Sequence, residues 1–278
     1  MTASAALDAF HAAAPVRRLQ HGGVEWRYRA AGEGRQGLLL LPGAVGDGDA
    51  YFTLAPLLSP THKLIAIAYP NVGSLADLLD GLRSILDREG IDSTDVVGGS
   101  FGGMIAQAFL QRFPQRTRRV VLSATGPAKA ERAASNERFA RIVSRLPVGV
   151  TRGLLRTIVR VSLRPATEDR AFWRDFYFQA IARVSRDELV ARYALSADID
   201  RHGPPSPAGR REWPGEVLIL EGKADAIAGP GARDLLKALY PDARVHTFPG
   251  AGHSISAERR HEWAATIAAF LTEPSALA

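Results

Sequence analysis

The sequence predicts an α/β fold, a mostly parallel eight-stranded sheet flanked by helices, with a helical insertion past its middle. Three observations carry this reading. Strand-length apolar runs alternate with segments whose apolar residues recur at three- and four-residue spacing, the pattern of parallel strands joined by crossover helices. The alternation fails over residues 126–212, where 87 residues show helical patterns and no convincing strand. Finally, a serine between glycines, Gly98-Gly99-Ser100-Phe101-Gly102-Gly103, follows the apolar run Asp95-Val96-Val97 and precedes a helical pattern that ends at Pro114.

Taken in order, the first fifteen residues are Ala-rich, but Asp8 and His11 fall where a signal peptide needs an apolar stretch, so a frayed helix or disordered leader is expected. Strands are expected at 16–19, 24–30, 38–41, 64–68, 95–97, 120–123, 217–221 and 244–248. The first two flank His21-Gly22-Gly23 and read as an antiparallel hairpin. Helices are expected at 75–89, 101–113, 230–239 and 258–271; Leu78, Leu82, Ile85 and Leu86 show the apolar stripe that such a helix turns toward a sheet. The insertion closes in His202-Gly203-Pro204-Pro205-Ser206-Pro207, a breaker-rich run expected to form a hinge or loop. The division is therefore a core of residues 1–125 and 213–278 and a helical cap of residues 126–212 placed to roof a site at the strand ends.

Composition narrows the function classes. The chain has 278 residues, 46% of them hydrophobic and 23% charged, enough for one large domain with a pocket and unlike a disordered or membrane-spanning chain. With no cysteine there is no disulfide, thiolate metal site or Cys nucleophile, and the cytoplasm is the default location. Net charge is +6, yet residues 126–212 hold 17 basic and 10 acidic residues, a net of +7, so the excess belongs to the insertion. Within it Arg152, Arg156, Arg160 and Arg164 recur every four residues; like charges at that spacing call for solvent or nearby acids, with an anionic substrate or membrane surface as the functional alternative. Phe172, Trp173, Phe176, Tyr177 and Phe178 form an aromatic cluster expected to pack on the core or line an apolar pocket. No nucleic-acid module, Walker sequence or metal-binding motif is present, so a small-molecule substrate and a cofactor-free, metal-free mechanism are expected.

A serine hydroxyl is a weak nucleophile, so Ser100 needs a base and an acid to orient it. Asp225 follows the strand at 217–221, and His253 follows the last strand in Gly250-Ala251-Gly252-His253; both fall past strand C-termini, where sites gather in open parallel sheets. The chain order Ser, Asp, His accompanies a nucleophile on a strand-to-helix turn. His11, His21, His62, His202, His246 and His261 are rivals for the base, and Asp198 and Asp200 for the acid. Acyl transfer also needs oxyanion donors, expected from the backbone N–H groups of Phe101 and of Ala44 in Pro42-Gly43-Ala44-Val45-Gly46.

On these motifs the chain resembles the α/β-hydrolase superfamily from 16 to 271. Pro42 to Gly46, the strand ending Tyr69-Pro70 and the run from Phe101 to Gln107 look more loosely like its maspardin branch. The resemblance implies a capped serine hydrolase that cleaves carboxylic esters of small to medium apolar substrates. It leaves open C–C bond hydrolysis by the same residues, or a maspardin-like binding role. Pro42 departs from the family pattern, standing where most members have the histidine of a His-Gly pair, which alters the support of the oxyanion loop. Serine at 100 separates the chain from haloalkane dehalogenases and epoxide hydrolases, which use aspartate there.

Overall fold

All eight expected strands form, and they join one sheet. A computed structural model describes residues 1–44, 47–164, 167–202 and 213–274. The strands are β1 (Val16–His21), β2 (Val24–Ala31), β3 (Gln36–Leu41), β4 (His62–Ala68), β5 (Thr94–Gly99), β6 (Thr117–Ser123), β7 (Glu216–Gly222) and β8 (Arg244–Phe248). Their order is β1-β2-β4-β3-β5-β6-β7-β8. The β1–β2 hairpin and the β2–β4 pair are antiparallel, and β4 to β8 run parallel.

The apolar runs of the central strands are continuous because both sheet faces are covered. Side chains alternate across the pleat, so Leu38 and Leu40 of β3 enter one core while Leu39 and Leu41 enter the other. Each fully buried leucine there contributes about 2 kcal/mol relative to exposure. Helices α3 (Leu75–Arg88) and α4 (Phe101–Arg112) supply Leu78, Leu82, Ile85, Ile105 and Phe109 to the second core. The first takes Phe10 from α1 (Ala3–Ala13), Leu58 from α2 (Ala55–Leu58), and Trp263, Ile267 and Phe270 from the last helix, Arg260–Thr272.

Two expectations are corrected. The leader is a packed helix: Ala3, Ala6 and Phe10 are buried in the first core, Thr2 caps the α1 N-terminus through the Ala5 N–H, and His11 Nε2 lies 2.8 Å from Asp49. Its alanines permit close approach to the core, which composition does not reveal. The last helix begins later than expected, because Ile255–Glu258 forms a separate turn before Arg260.

Between β6 and β7 the described residues form α5 (Ala133–Arg145), α6 (Val148–Ser162), α7 (Arg170–Arg183) and α8 (Arg186–His202), with no strand among them. The breaker run after His202 lies outside the described residues. Of the arginine row, expected to be solvated or answered by acids, Arg160 and Arg164 are exposed, while Arg152 and Arg156 are half-buried against partners that are not acids. Arg152 donates to the Val184 carbonyl, and Arg156 and Arg160 stand over the Phe178 ring, 5.6 and 4.9 Å from its centroid. The aromatic cluster does both things expected of it: Trp173 is fully buried and stacks near Phe52, while Tyr177 lines a cavity.

Candidate active site

Strand β5 and helix α4 meet at Ser100, whose φ of 51° and ψ of −118° place a non-glycine residue at positive φ, a strain of about 1–3 kcal/mol. The surrounding glycines make the turn feasible. A Cβ on Gly98 would collide with the Gly102 carbonyl, and one on Gly102 would collide with the Leu41 carbonyl of β3. The Ser100 N–H donates to Ser123 O at 2.9 Å, and its carbonyl accepts from Thr125 Oγ1 at 2.7 Å, so both backbone ends of the strained residue are tied to β6 and the turn after it.

Asp225 and His253, 28 residues apart in sequence, converge on this serine. His253 Nε2 lies 2.9 Å from Ser100 Oγ, and its Nδ1 lies 2.9 Å from Asp225 Oδ2. Asp225 is buried, and its other oxygen accepts the N–H groups of Ile227 at 2.8 Å and Ala228 at 2.9 Å. Burial by itself would raise the Asp225 carboxyl, but the His253 hydrogen bond and charge and these backbone donors hold it below the ordinary aspartate value. An ionised carboxylate only accepts, so Nδ1 of His253 carries the proton and Nε2 is left to accept from the serine hydroxyl. Such an arrangement can take a proton from Ser100 and hold the resulting imidazolium in place.

Every rival histidine is engaged elsewhere: His21 with Asp80 at 2.9 Å, His62 with buried Asp95 at 3.3 Å, His246 with Glu262 at 3.1 Å and His261 with Glu168 at 3.4 Å. His202 Nδ1 donates to the Asp198 carbonyl at 2.8 Å. The rival acids have structural partners. Asp198 accepts the Leu75 N–H at the start of α3, and buried Asp200 accepts from Lys129 N, Arg132 and Asn136.

Phe101 is the first residue of α4, so its N–H has no intrahelical acceptor and points out of the positive end of the helix. Ala44 lines the same cavity as Ser100, while its neighbours Val45 and Gly46 lie outside the described residues. Three side chains that sequence reasoning missed hold this loop by its carbonyls. Tyr51 OH donates to Leu41 O at 2.6 Å, Tyr69 OH to Pro42 O at 3.0 Å, and Arg192 of α8 to Ala44 O. Tyr69 was visible as a strand ending; Arg192 has no local signature, because it comes from the insertion. Glu258, also missed, is buried and accepts the Gly252 N–H at 3.0 Å, fixing the loop that carries His253.

The cavity over Ser100 has a volume of about 390 Å³. Leu155, Ile158, Val159 and Tyr177 of the insertion meet Ile227, Ile255 and Trp263 of the sheet domain in its wall, and no Asp, Glu, Lys or Arg side chain is among the described lining residues. Burial pushes the Tyr177 phenol up to about 12, so its hydroxyl stays neutral. Among the described residues no group of acids and histidines is placed to hold a metal ion.

The profile of the Alpha/beta hydrolase family matches residues 38–266. The chain belongs to the α/β-hydrolase family. A 2-hydroxymuconate semialdehyde hydrolase of Pseudomonas putida is 30% identical to this α/β hydrolase over 201 residues, 69% of this chain and 67% of that protein. Maspardin of Mus musculus is 24% identical over 209 residues, 74% of this chain and 65% of maspardin. Among solved structures, the enol-lactonase from Burkholderia xenovorans LB400 superposes with a TM-score of 0.76 at 19% identity, covering 92% of this chain and all of that one. At that identity the likeness concerns the fold of this α/β hydrolase alone. No described helix is long and apolar enough to cross a membrane.

Proposed function

We propose that this α/β hydrolase cleaves carboxylic esters of small to medium apolar substrates through an acyl-enzyme. The observation that carries the reading is the unbroken hydrogen-bonded series from Asp225 through His253 to Ser100 at the floor of an apolar cavity. Ser100 Oγ attacks the ester carbonyl as His253 Nε2 takes its proton, and the N–H groups of Phe101 and Ala44 receive the oxyanion. Collapse of the tetrahedral intermediate breaks the C–O bond, and His253 returns the proton to the departing alkoxide. Water, deprotonated by the same imidazole, then releases the acid and restores the Ser100 hydroxyl. The helical insertion acts as the cap: with Leu155, Ile158 and Val159 it excludes water and favours an uncharged acyl or alcohol group.

A second reading, C–C bond hydrolysis of a vinylogous diketone by the same residues, is supported by the 30% identical semialdehyde hydrolase. The apolar wall of the cavity over Ser100 favours the uncharged ester, while Arg164 in the adjoining hollow beside His253 is the cation that a carboxylate-bearing substrate would use. The discriminating experiment is a panel of p-nitrophenyl esters of rising chain length beside one vinylogous diketone, with fluorophosphonate labelling. Ester turnover with labelling lost in Ser100→Ala is expected. Turnover of the diketone alone would replace the ester reading, and no labelling of the wild type would leave a maspardin-like binding role.

A further inference from the structure

Helix α6 has two apolar faces, and the fold packs only one of them. Leu155 and Val159 are buried, together with Thr151 on the same side. Val150, Leu154, Ile158 and Val161 recur at four- and three-residue spacing on another side and are 55, 47, 43 and 78% exposed. Isolated surface aliphatics are ordinary, but a row along one helix face is a contiguous apolar patch of the kind that marks an interaction site. The row reaches the mouth of the Ser100 cavity. Ile158 lines that cavity, and Ile158, Val161 and the exposed Ile227 border the hollow beside His253.

The stretch of chain that carries this row is basic. From residue 138 to residue 167 the sequence contains seven arginines and no Asp or Glu. Arg138, Arg141, Arg145, Arg160 and Arg164 are exposed. The contacts that Arg152, Arg156 and Arg160 make, with a carbonyl and with the Phe178 ring, leave their charge unneutralised. A second copy of the chain laid on this face would bring the same arginines against themselves, which disfavours self-association. A helix with an exposed aliphatic row, three arginines and no acid has the composition of one that lies in the plane of a lipid interface.

We propose that the exposed face of α6 docks on an anionic phospholipid surface, with Val150, Leu154, Ile158 and Val161 entering the acyl boundary and the exposed Arg145, Arg160 and Arg164 near its ends meeting the headgroup phosphates. This sets the mouth of the Ser100 cavity against the lipid layer. The docking stands independently of the ester-hydrolase reading; only the use of an apolar substrate drawn from that layer rests on it.

The test is co-sedimentation of the full chain with vesicles of phosphatidylcholine alone and of phosphatidylcholine with about 30 mol% phosphatidylserine. At least about tenfold greater partition onto the anionic vesicles is expected, falling as salt is raised. Val150→Asp with Leu154→Asp is expected to lower that partition by about tenfold while hydrolysis of soluble p-nitrophenyl acetate changes by less than about twofold, both sites being exposed and outside the Ser100 cavity. Arg141→Glu with Arg145→Glu, which leaves α6 intact, is expected to weaken anionic binding alone. Equal partition on the two vesicle types, or unchanged binding by both double variants, overturns the proposal. So does a stable dimer that becomes a monomer in Val150→Asp/Leu154→Asp without any vesicle binding, because the face would then belong to a second copy. Vesicle binding by a protein that cleaves no ester upholds the docking and removes the hydrolase reading instead.

Discussion

Arg192 donates to the carbonyl oxygen of Ala44 across 148 residues of sequence, joining the last helix of the insertion to the loop that faces Ser100. The Ala44 carbonyl and the Ala44 N–H lie in the two peptide planes that meet at its Cα, so holding the carbonyl restricts the proposed oxyanion donor through that Cα and couples the insertion to it. Arg192→Ala is therefore expected to lower kcat for an ester by about tenfold with KM little changed, less than the loss of a whole oxyanion donor. Arg192→Lys, which keeps a donor, should recover part of the rate. An effect on KM alone would show that Arg192 serves binding and not the loop.

Asp225 is expected to act by holding His253 in one tautomer. Asp225→Asn offers Nδ1 an amide that can donate, which favours the wrong tautomer, so kcat should fall by about 10⁴-fold while the fold is retained. Ser100→Ala and His253→Ala should each cost about as much as the two together, since they act as one unit. Additive losses in steady-state ester hydrolysis would contradict the arrangement.

The Ser100 turn tolerates no side chain at Gly102, where a Cβ would meet the Leu41 carbonyl of β3. The neighbour is backbone and cannot rotate away. Gly102→Ala is expected to destabilise the protein by about 3 kcal/mol, read as a lowered Tm and a lowered denaturant midpoint.

A pH effect is expected at Glu89, which accepts from Lys63, Tyr28 and Arg17. Burial acts to raise its carboxyl, but these partners prevail and hold it below the ordinary glutamate value of 4.5. A carboxyl whose native pKa is depressed adds stability that is fully present above its unfolded value and is lost as pH falls through the native one. The stability difference between wild type and Glu89→Gln should therefore be constant from neutral pH down to 4.5 and shrink below it. Urea titrations at several pH values check this, and a difference that grows on acidification contradicts it.

Much of the fold was legible in the chain because its signals are local. Runs such as Leu38 to Leu41 cannot be solvated, and a strand buried on both faces reads as unbroken apolar sequence, so the eight strands could be found. Which neighbour each strand takes is a matter of contacts distant in sequence, and β2 pairing with β4 has no local mark. The packing of α1 has no local mark for the same reason: Ala3 and Ala6 look indifferent until the surface they touch exists.

By itself, the sequence determined the strand-and-helix alternation, the glycine-bracketed Ser100, and the chain order that nominates Asp225 and His253, because backbone sterics and burial act over a few residues. Only the tertiary structure decided which of seven histidines reaches Ser100, for nearly every rival has a carboxylate partner of its own. It also decided that Tyr51, Tyr69 and Arg192 support the loop at Pro42, and that α6 keeps a row of apolar side chains exposed. These depend on side chains from separate elements meeting within hydrogen-bond range, a condition set by packing and not by spacing along the chain.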